Sequence, residues 1–342
     1  MGVTAMDFGS LNADPVPWLL ENDTPAVKHR ALRDLLDLPE DDAKVKRARA
    51  AAMRSHPIAA ILDAQQPEGW WEKPGSGYGP KYSSTVWQVM FLDQLGADPR
   101  DRRVRKGCEY VLAHSQTKVG GFGASGSLHE DRPPPPSYAI HCLNGNLLRA
   151  LIGFGWLDDG RVKASIDWQA RSITGDGFDF HASGTSGPGF CCGANGKRPC
   201  AWGAVKALGA LARIPARRRT ADVRKALAQG AEFLLSRDPA VADYPIPPYS
   251  NKPNSSWFKF GFPSAYVTDV LQNLEVLCEL GYAKDPRLGP AIELMLSKQD
   301  ANGRWKNEYA YNRKTSVDFE KQGAPSKWVT LRACRVLKAA TA

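Results

Sequence analysis

The sequence contains no run of about 18 apolar residues, the minimum that a helix needs to cross a bilayer. It shows no strand-like alternation of apolar and polar residues. Its first fourteen residues contain no basic stretch followed by an apolar block, so a secretory signal is not expected and the predicted location is cytoplasmic. Hydrophobic residues form 43% and charged residues 24% of the 342 residues, which is typical of a globular protein with a sizeable core.

The seven cysteines are an odd number in a presumed reducing compartment, which favours thiols or metal ligands over disulfides. The formal charge of +9, from 45 Lys and Arg against 36 Asp and Glu, favours an anionic partner. The positive charges are scattered, however, and the ten tryptophans do not alternate with a basic stripe. The pattern therefore predicts no nucleic-acid partner, and a ligand with a diphosphate or carboxylate group stays open.

An internal repeat of about 60 residues organises most of the chain. Each unit begins with an apolar helix, often ended by glycine, and continues with a more polar helix. The predicted inner helices are Val86–Gly96, Cys142–Gly155, Cys200–Arg213 and Tyr266–Gly281. The predicted outer helices are Val104–His114, Val162–Arg171, Val223–Arg237 and Leu288–Lys298, followed by a closing helix, Trp328–Ala339. Two further helices, Pro25–Leu36 and Ala43–Gln65, precede the repeats.

A turn motif recurs where outer helices are expected to end. Gln65-x-x-x-Gly69-x-Trp71 returns as Gln116-x-x-x-Gly120-x-Phe122 and as Gln299-x-x-x-Gly303-x-Trp305. The glycine permits a tight turn, the aromatic ring packs back on the helix, and the glutamine can bond free backbone groups. Three copies at one register indicate a structural repeat.

Helix pairs ending in Gln-x-x-x-Gly-x-Trp resemble the repeats of squalene/oxidosqualene cyclases and of protein prenyltransferases. The resemblance covers most of Ile58–Lys338 and implies an all-α fold, an α/α toroid with inner helices around a cavity and outer helices as a shield. The expected organisation is one domain over residues 1–342. Residues 1–57 would form a helical extension packed on the repeat region, residues 58–338.

The family's catalytic motifs are missing from this sequence. It has no Asp-x-Asp-Asp tetrad, no Asp-Asp-x-x-Asp motif and no Asp-x-Cys pair, so none of the three family mechanisms transfers directly. The resemblance implies an isoprenoid or other hydrophobic small molecule as the ligand, with an anionic group as one option. Two functions stay open: a metal-containing enzyme of the terpene cyclase or prenyltransferase type, and a non-catalytic toroid that binds a lipid or partner and carries a structural zinc.

Cysteines cluster around two predicted inner helices. Cys142 and Cys200 begin consecutive inner helices, and the long loop between these units contains His181, Cys191 and Cys192. Zinc takes four sulfur or nitrogen ligands, so these residues predict a zinc site. Whether the site is structural or catalytic is open, and the alternative is that the thiols only pack, as expected for Cys108, Cys278 and Cys334.

Aromatic residues on inner helices and their leading loops are candidates for binding a hydrocarbon substrate, and packing in the core is the alternative for each. They are Tyr82, Trp87, Tyr138, Trp202, Trp257, Tyr266 and Trp328. Asp269 interrupts an apolar helix, which makes it a candidate general acid or a member of a buried salt bridge. Lys81 and Arg149 could meet a diphosphate, although each alone is more typical of a surface charge.

Overall fold

The computed structural model describes residues 11–129, 131–178, 186–241, 244 and 252–341. The structure is all-α, as predicted. Before the repeats lie α1 (Val16–Leu19), α2 (Pro25–Asp34), α3 (Ala43–Met53) and α4 (Ile58–Asp63). The repeats contain α5 (Thr85–Leu95), α6 (Arg102–His114), α7 (His141–Gly153), α8 (Gly160–Thr174), α9 (Ala201–Ala212), α10 (Ala221–Leu235), α11 (Val270–Glu279), α12 (Gly289–Leu296) and α13 (Lys327–Thr341). None of the described helices is long and apolar enough to cross a membrane.

The helices form two layers. Helix α5 packs on α7, α7 on α9, α9 on α11, and α11 on α13, while α6, α8, α10 and α12 pack on the outside of this series. Ten of the eleven residues of α5 are buried, against six of the thirteen residues of α6, so the apolar helices form the inner layer as expected. Residues of all five inner helices line one cavity, as the predicted toroid requires.

Two helix boundaries differ from the predictions. The segment Tyr266–Asp269 is extended rather than helical, and α11 begins at Val270 because the Asp269 carboxylate caps it by accepting a hydrogen bond from the Gln272 backbone. The predicted helix Ala43–Gln65 is two helices. Pro57 lies between α3 and α4, and proline disfavours helical conformation in the residue before it.

A small antiparallel sheet was not predicted. Its strands are β1 (Ser186–Gly187), β2 (Cys191–Cys192) and β3 (Arg198–Pro199), paired in the order β1–β2–β3. Strands of two residues are too short to show the alternation that identifies a strand in a sequence. The sheet packs at the start of α9 and ends one residue before Cys200.

The turn motif joins neighbouring repeats, which confirms its structural interpretation. The Gln65 side-chain amide donates to the carbonyls of Gly69 (3.2 Å) and Arg103 (3.0 Å), and Arg103 lies in the first turn of α6. In the second copy, Gln116 donates to the carbonyls of Gly120 (2.9 Å) and Arg161 (2.7 Å), in the first turn of α8. Each glutamine therefore holds its own turn and ties it to the next outer helix.

The third copy of the motif contacts the N-terminal segment. The backbone N–H of Asn12 donates to the side-chain oxygen of Gln299 at 2.8 Å, and Ala13 lies directly against Gly303. Helix α2 packs on α13, where Asp34 forms an ion pair with Arg335. Residues near the start of the chain thus occupy the position that an outer helix takes beside the earlier motifs.

Candidate functional site

An aromatic cluster surrounds the N-terminal ends of the inner helices. It consists of Tyr78, Tyr82, Trp87, Tyr266 and Tyr311, and we call it the aromatic mouth. Its ring centroids lie 4.8 Å apart for Tyr82 and Trp87, 5.0 Å for Trp87 and Tyr266, and 4.8 Å for Tyr82 and Tyr311. Trp87 is fully buried and donates to the Tyr78 carbonyl at 2.9 Å, while Tyr78, Tyr82 and Tyr266 are half-buried. The mouth therefore presents aromatic rings on a rigid base.

One lysine lies over the aromatic mouth. The Lys81 Nζ atom is 5.2 Å from the ring centroid of Tyr82 and 5.0 Å from that of Tyr266. Burial lowers the pKa of Lys81 and raises the pKa of Tyr82 to about 12. The phenols therefore stay protonated at neutral pH, and their ring faces stabilise a nearby cation.

The sequence candidates divide between this mouth and other places. Tyr82, Trp87 and Tyr266 come together, as the substrate-binding hypothesis expects. Trp328 lies elsewhere, stacked on Phe262 at 4.4 Å.

Three more candidates belong neither to the aromatic mouth nor to the stack of Trp328 on Phe262. Trp257 is fully buried and donates to the Pro239 carbonyl at 2.9 Å, which is the core-packing alternative. Tyr138 is 50% exposed in a 3-10 turn, and Trp202 is half-buried near the start of α9. Neither has a ring contact with the mouth.

Sequence reasoning missed Tyr78 and Tyr311, together with Tyr309, whose ring lies 5.3 Å from that of Tyr311. All three are in loops that follow a copy of the turn motif and lead toward an inner helix or along the mouth. Their position after the motif is the signal that could have identified them, since such loops are fixed at the N-terminal ends of inner helices.

Three thiols form a cluster beside the mouth. Cys142 is the second residue of α7, Cys200 is the N-cap residue of α9, and Cys192 lies on β2. The thiol of Cys200 is hydrogen bonded to Cys192, and the backbone N–H groups of Ala194 and Asn195 also donate to the Cys192 sulfur. These hydrogen bonds lower the pKa of Cys192, whereas the pKa of Cys200 is raised by the same hydrogen bond and by burial. Burial also raises the pKa of Cys142 to about 12.

The described residues do not support the predicted zinc site. Among them, no three His, Cys, Asp or Glu side chains are placed to share a metal ion. Cys191 and Cys192 are neighbours on one strand, so their side chains point to opposite faces, and Cys191 donates to the Lys197 carbonyl at 3.3 Å instead. His181 lies outside the described residues. The zinc site stays a prediction.

A charged cavity of about 280 Å³ lies near the C-terminal halves of the inner helices. Six cationic side chains line it: Arg30, Arg149, Lys206, Arg213, Arg332 and Arg335. Four carboxylates line it as well: Asp34, Asp93, Glu275 and Glu279. The hydrocarbon-lined cavity implied by the family resemblance is therefore not what these residues form. The sequence analysis missed this cavity, because its ten charges are spread over six helices that are distant in sequence.

Most of these charges are paired across the cavity wall. Arg149 forms a two-point ion pair with Glu279, at 2.6 and 2.8 Å, and donates to the Gly209 carbonyl. Arg149 is thus held by protein groups rather than free for a diphosphate. Lys206 contacts the Gln272 side chain and the Val267 carbonyl, and burial lowers the pKa of Lys206 to about 7.

Asp269 is part of a buried salt bridge, the alternative to its role as a general acid. One of its oxygens lies 3.2 Å from Arg332 and caps α11, and the other accepts from the Gly261 backbone at 3.1 Å. Arg332 also binds Glu275 at 2.7 Å. A carboxylate with both oxygens engaged in this way is positioned to hold the helix start and Arg332, and its role as a proton donor stays untested.

No family model and no curated protein matches the sequence. Similar solved structures include the type II terpene cyclase MstE from Scytonema, at 15% identity over 83% of this chain and 96% of that chain, with a TM-score of 0.31. The same enzyme in complex with geranylgeranyl dihydroxybenzoate gives 14% identity, 83% and 95% coverage, and a TM-score of 0.32.

A protein from Actinoplanes shows 16% identity over 86% of this chain and 100% of that chain, with a TM-score of 0.32. A terpene cyclase is among the similar structures. Similarity of this degree assigns neither the activity nor the ligand of those proteins to this chain.

Proposed function

We propose that this protein binds an isoprenoid or similar hydrophobic small molecule at the aromatic mouth. The observation that carries the proposal is the contact of five aromatic rings around the N-terminal ends of the inner helices, three of them half-buried. Aromatic faces contribute a large apolar contact area and stabilise positive charge, both of which suit an unsaturated hydrocarbon chain.

Binding is the function that this geometry supports best. The sequence lacks the family's acidic motifs, and Asp269 is engaged by Arg332, Gly261 and Gln272. One observation favours an enzyme as the second candidate. The thiol cluster of Cys142, Cys192 and Cys200 lies beside the mouth, near Tyr78 and Tyr266, where it could act on a bound molecule.

The binding proposal is tested with a neutral isoprenoid alcohol, geranylgeraniol, measured by equilibrium dialysis. We expect saturable binding to the native protein and at least tenfold weaker binding to Tyr82→Ala and Tyr266→Ala. Tyr138→Ala is the matched control, because Tyr138 is exposed and outside the mouth, and it should bind as the native protein does. Equal binding by all four proteins, or no binding by any, would overturn the proposal.

Catalysis is tested separately by incubating the protein with geranylgeranyl diphosphate and with squalene. Mass spectrometry then detects either an isomer with the mass of the substrate or a product that has lost diphosphate. Product formed by the native protein and lost in Cys192→Ser would support the enzyme candidate. Unchanged substrate, together with saturable geranylgeraniol binding, would support the non-catalytic function.

A further inference from the structure

We propose that the charged cavity is a second binding site, which takes a small molecule through an oxyanion group, phosphate or carboxylate, with Arg30 as its main contact. None of the five residues of the aromatic mouth is among the residues that line this cavity. The proposal does not depend on the proposed function, since the ligand group and the residues are different.

Arg30 is a partly buried cation that forms no ion pair with a carboxylate among the described residues. Its Nη2 atom donates to the Asp93 backbone carbonyl at 2.7 Å, and its Nε atom has no acceptor. Burial lowers the pKa of Arg30 to about 10, although the nearby carboxylates of Asp34 and Asp93 oppose this shift. An anionic oxygen at Nε would satisfy the free donor.

A second donor faces the same space. The Arg335 Nε atom is also buried without an acceptor, although its terminal nitrogens pair with Asp34 and Glu275. Arg30 and Arg335 both line the cavity, in which six cationic side chains face four carboxylates. Two Nε donors without acceptors favour a ligand group that presents oxyanion oxygens.

Arg30 lines a surface groove as well as the cavity. The groove, of about 550 Å³, shares Arg30, Asp93 and Arg213 with the cavity and is lined farther out by exposed residues of α3 and of the loop after α5. A small molecule in this groove would lie next to Arg30.

The backbone leaves room for this arginine. Gly96 ends α5 with a φ of 77°, and a Cβ atom there would lie 2.9 Å from the Arg30 Nε atom. On the next inner helix, a Cβ at Gly153 would lie 2.3 Å from Arg213 Nη1. Glycines at both positions therefore allow the guanidinium groups to approach the helix ends.

The test measures thermal unfolding and calorimetric binding with sodium phosphate, pyrophosphate and succinate, each compared with sodium chloride at equal ionic strength. At least one oxyanion should raise the melting temperature and bind with a Kd below about 1 mM. Comparing phosphate and pyrophosphate with succinate shows whether the site takes a phosphate or a carboxylate group. Arg30→Gln should weaken binding at least tenfold, whereas Arg161→Gln, which changes an ion-paired arginine on α8, should not.

Arg30→Lys is a second variant for the case in which Arg30→Gln does not fold. It keeps the positive charge but loses the planar set of guanidinium N–H donors. It should also bind the oxyanion more weakly than the native protein. The proposal is overturned if none of the three oxyanions stabilises the native protein beyond chloride. It is also overturned if every Arg30 variant that folds binds the oxyanion as well as the native protein does. Geranylgeraniol binding reports only on the mouth, so the two proposals can fail independently.

Discussion

Asp269 and Arg332 show how much one ion pair contributes when both partners are buried. Their side chains are 8% and 6% exposed, and they join the start of α11 to the middle of α13. Removing one member of such a pair leaves the other charge in a medium that solvates it poorly. The pair should therefore matter more for stability than the exposed ion pairs of the outer layer.

Replacing Asp269 with Asn should lower the free energy of unfolding by about 2 kcal/mol, since Asn can still cap α11 but leaves Arg332 with only Glu275 of its two carboxylate partners. Chemical denaturation measures the loss. Asp101→Asn is the matched control, because Asp101 also caps a helix and binds an arginine, Arg103, near the surface. That variant should lose less than about 1 kcal/mol. Equal losses would show that capping, rather than charge, is what Asp269 provides.

The zinc prediction also belongs to single residues. The zinc hypothesis, which the described geometry does not support, predicts about one zinc per chain in elemental analysis of protein purified without a chelator, with Cys142→Ser and Cys200→Ser each losing it. Cys278→Ser should retain it, because Cys278 is on α11, away from the thiol cluster. Native protein without metal would leave the cluster as three packed thiols.

At the level of elements, the turn motif depends on backbone that only glycine adopts easily. Gly303 has a φ of 66°, and a Cβ atom there would lie 2.0 Å from the Ala13 carbonyl oxygen. Gly281 has a φ of 93° but open space around it. These two positions separate backbone strain from close contact.

Gly281→Ala should cost about 1 kcal/mol of stability through strain alone. Gly303→Ala should cost at least about 1 kcal/mol more, because the new methyl group must displace the N-terminal segment. Unfolding in urea measures both. Indistinguishable losses would mean that the contact with Ala13 does not form in solution.

The inner helices could be predicted from the sequence because their near-complete burial gives long apolar stretches, three of which end in glycine. The start of α11 could not be predicted from the sequence, because Tyr266 and Val267 continue the apolar pattern although the chain there is not helical. The sequence analysis predicted Tyr82, Trp87 and Tyr266 of the aromatic mouth, which lie on inner helices or before them. It did not predict Tyr78 and Tyr311, which lie in loops without a periodic pattern.

The charged cavity could not be predicted, because its partners are distant in sequence. Asp93 meets Arg213 across 120 residues, and Asp34 meets Arg335 across 301. Such pairs join helices that are far apart in the sequence and leave no local pattern in the chain.

For the whole molecule, buried histidines set the response to acid. Burial, together with Arg30 and Arg49, lowers the pKa of His29 to about 3, and burial lowers the pKa of His141 to about 4. The unfolded chain takes up a proton on each near pH 6.5, while the folded protein does not. Stability contributed by the neutral histidines is therefore present above pH 6.5 and is lost as the pH falls toward 4 and 3.

Each histidine should contribute a loss of about 1.4 kcal/mol per pH unit between pH 6.5 and pH 4.5. Burial raises the pKa of Glu320 to about 7, so its protonation opposes this loss in part, and denaturant midpoints should still fall. His29→Leu should flatten this dependence, whereas His56→Leu, at an exposed position, should leave it unchanged. An identical slope in native protein and His29→Leu would show that His29 is protonated in the folded state.

The contact of the N-terminal segment with the last repeat has a consequence for synthesis. Asn12, Ala13 and Asp34 are synthesised well before their partners Gln299, Gly303 and Arg335. The earlier repeats can pair with neighbours as they emerge, whereas the first helices must wait with part of their apolar surface uncovered. A nascent chain therefore keeps this surface open to other contacts until the last repeat has been synthesised.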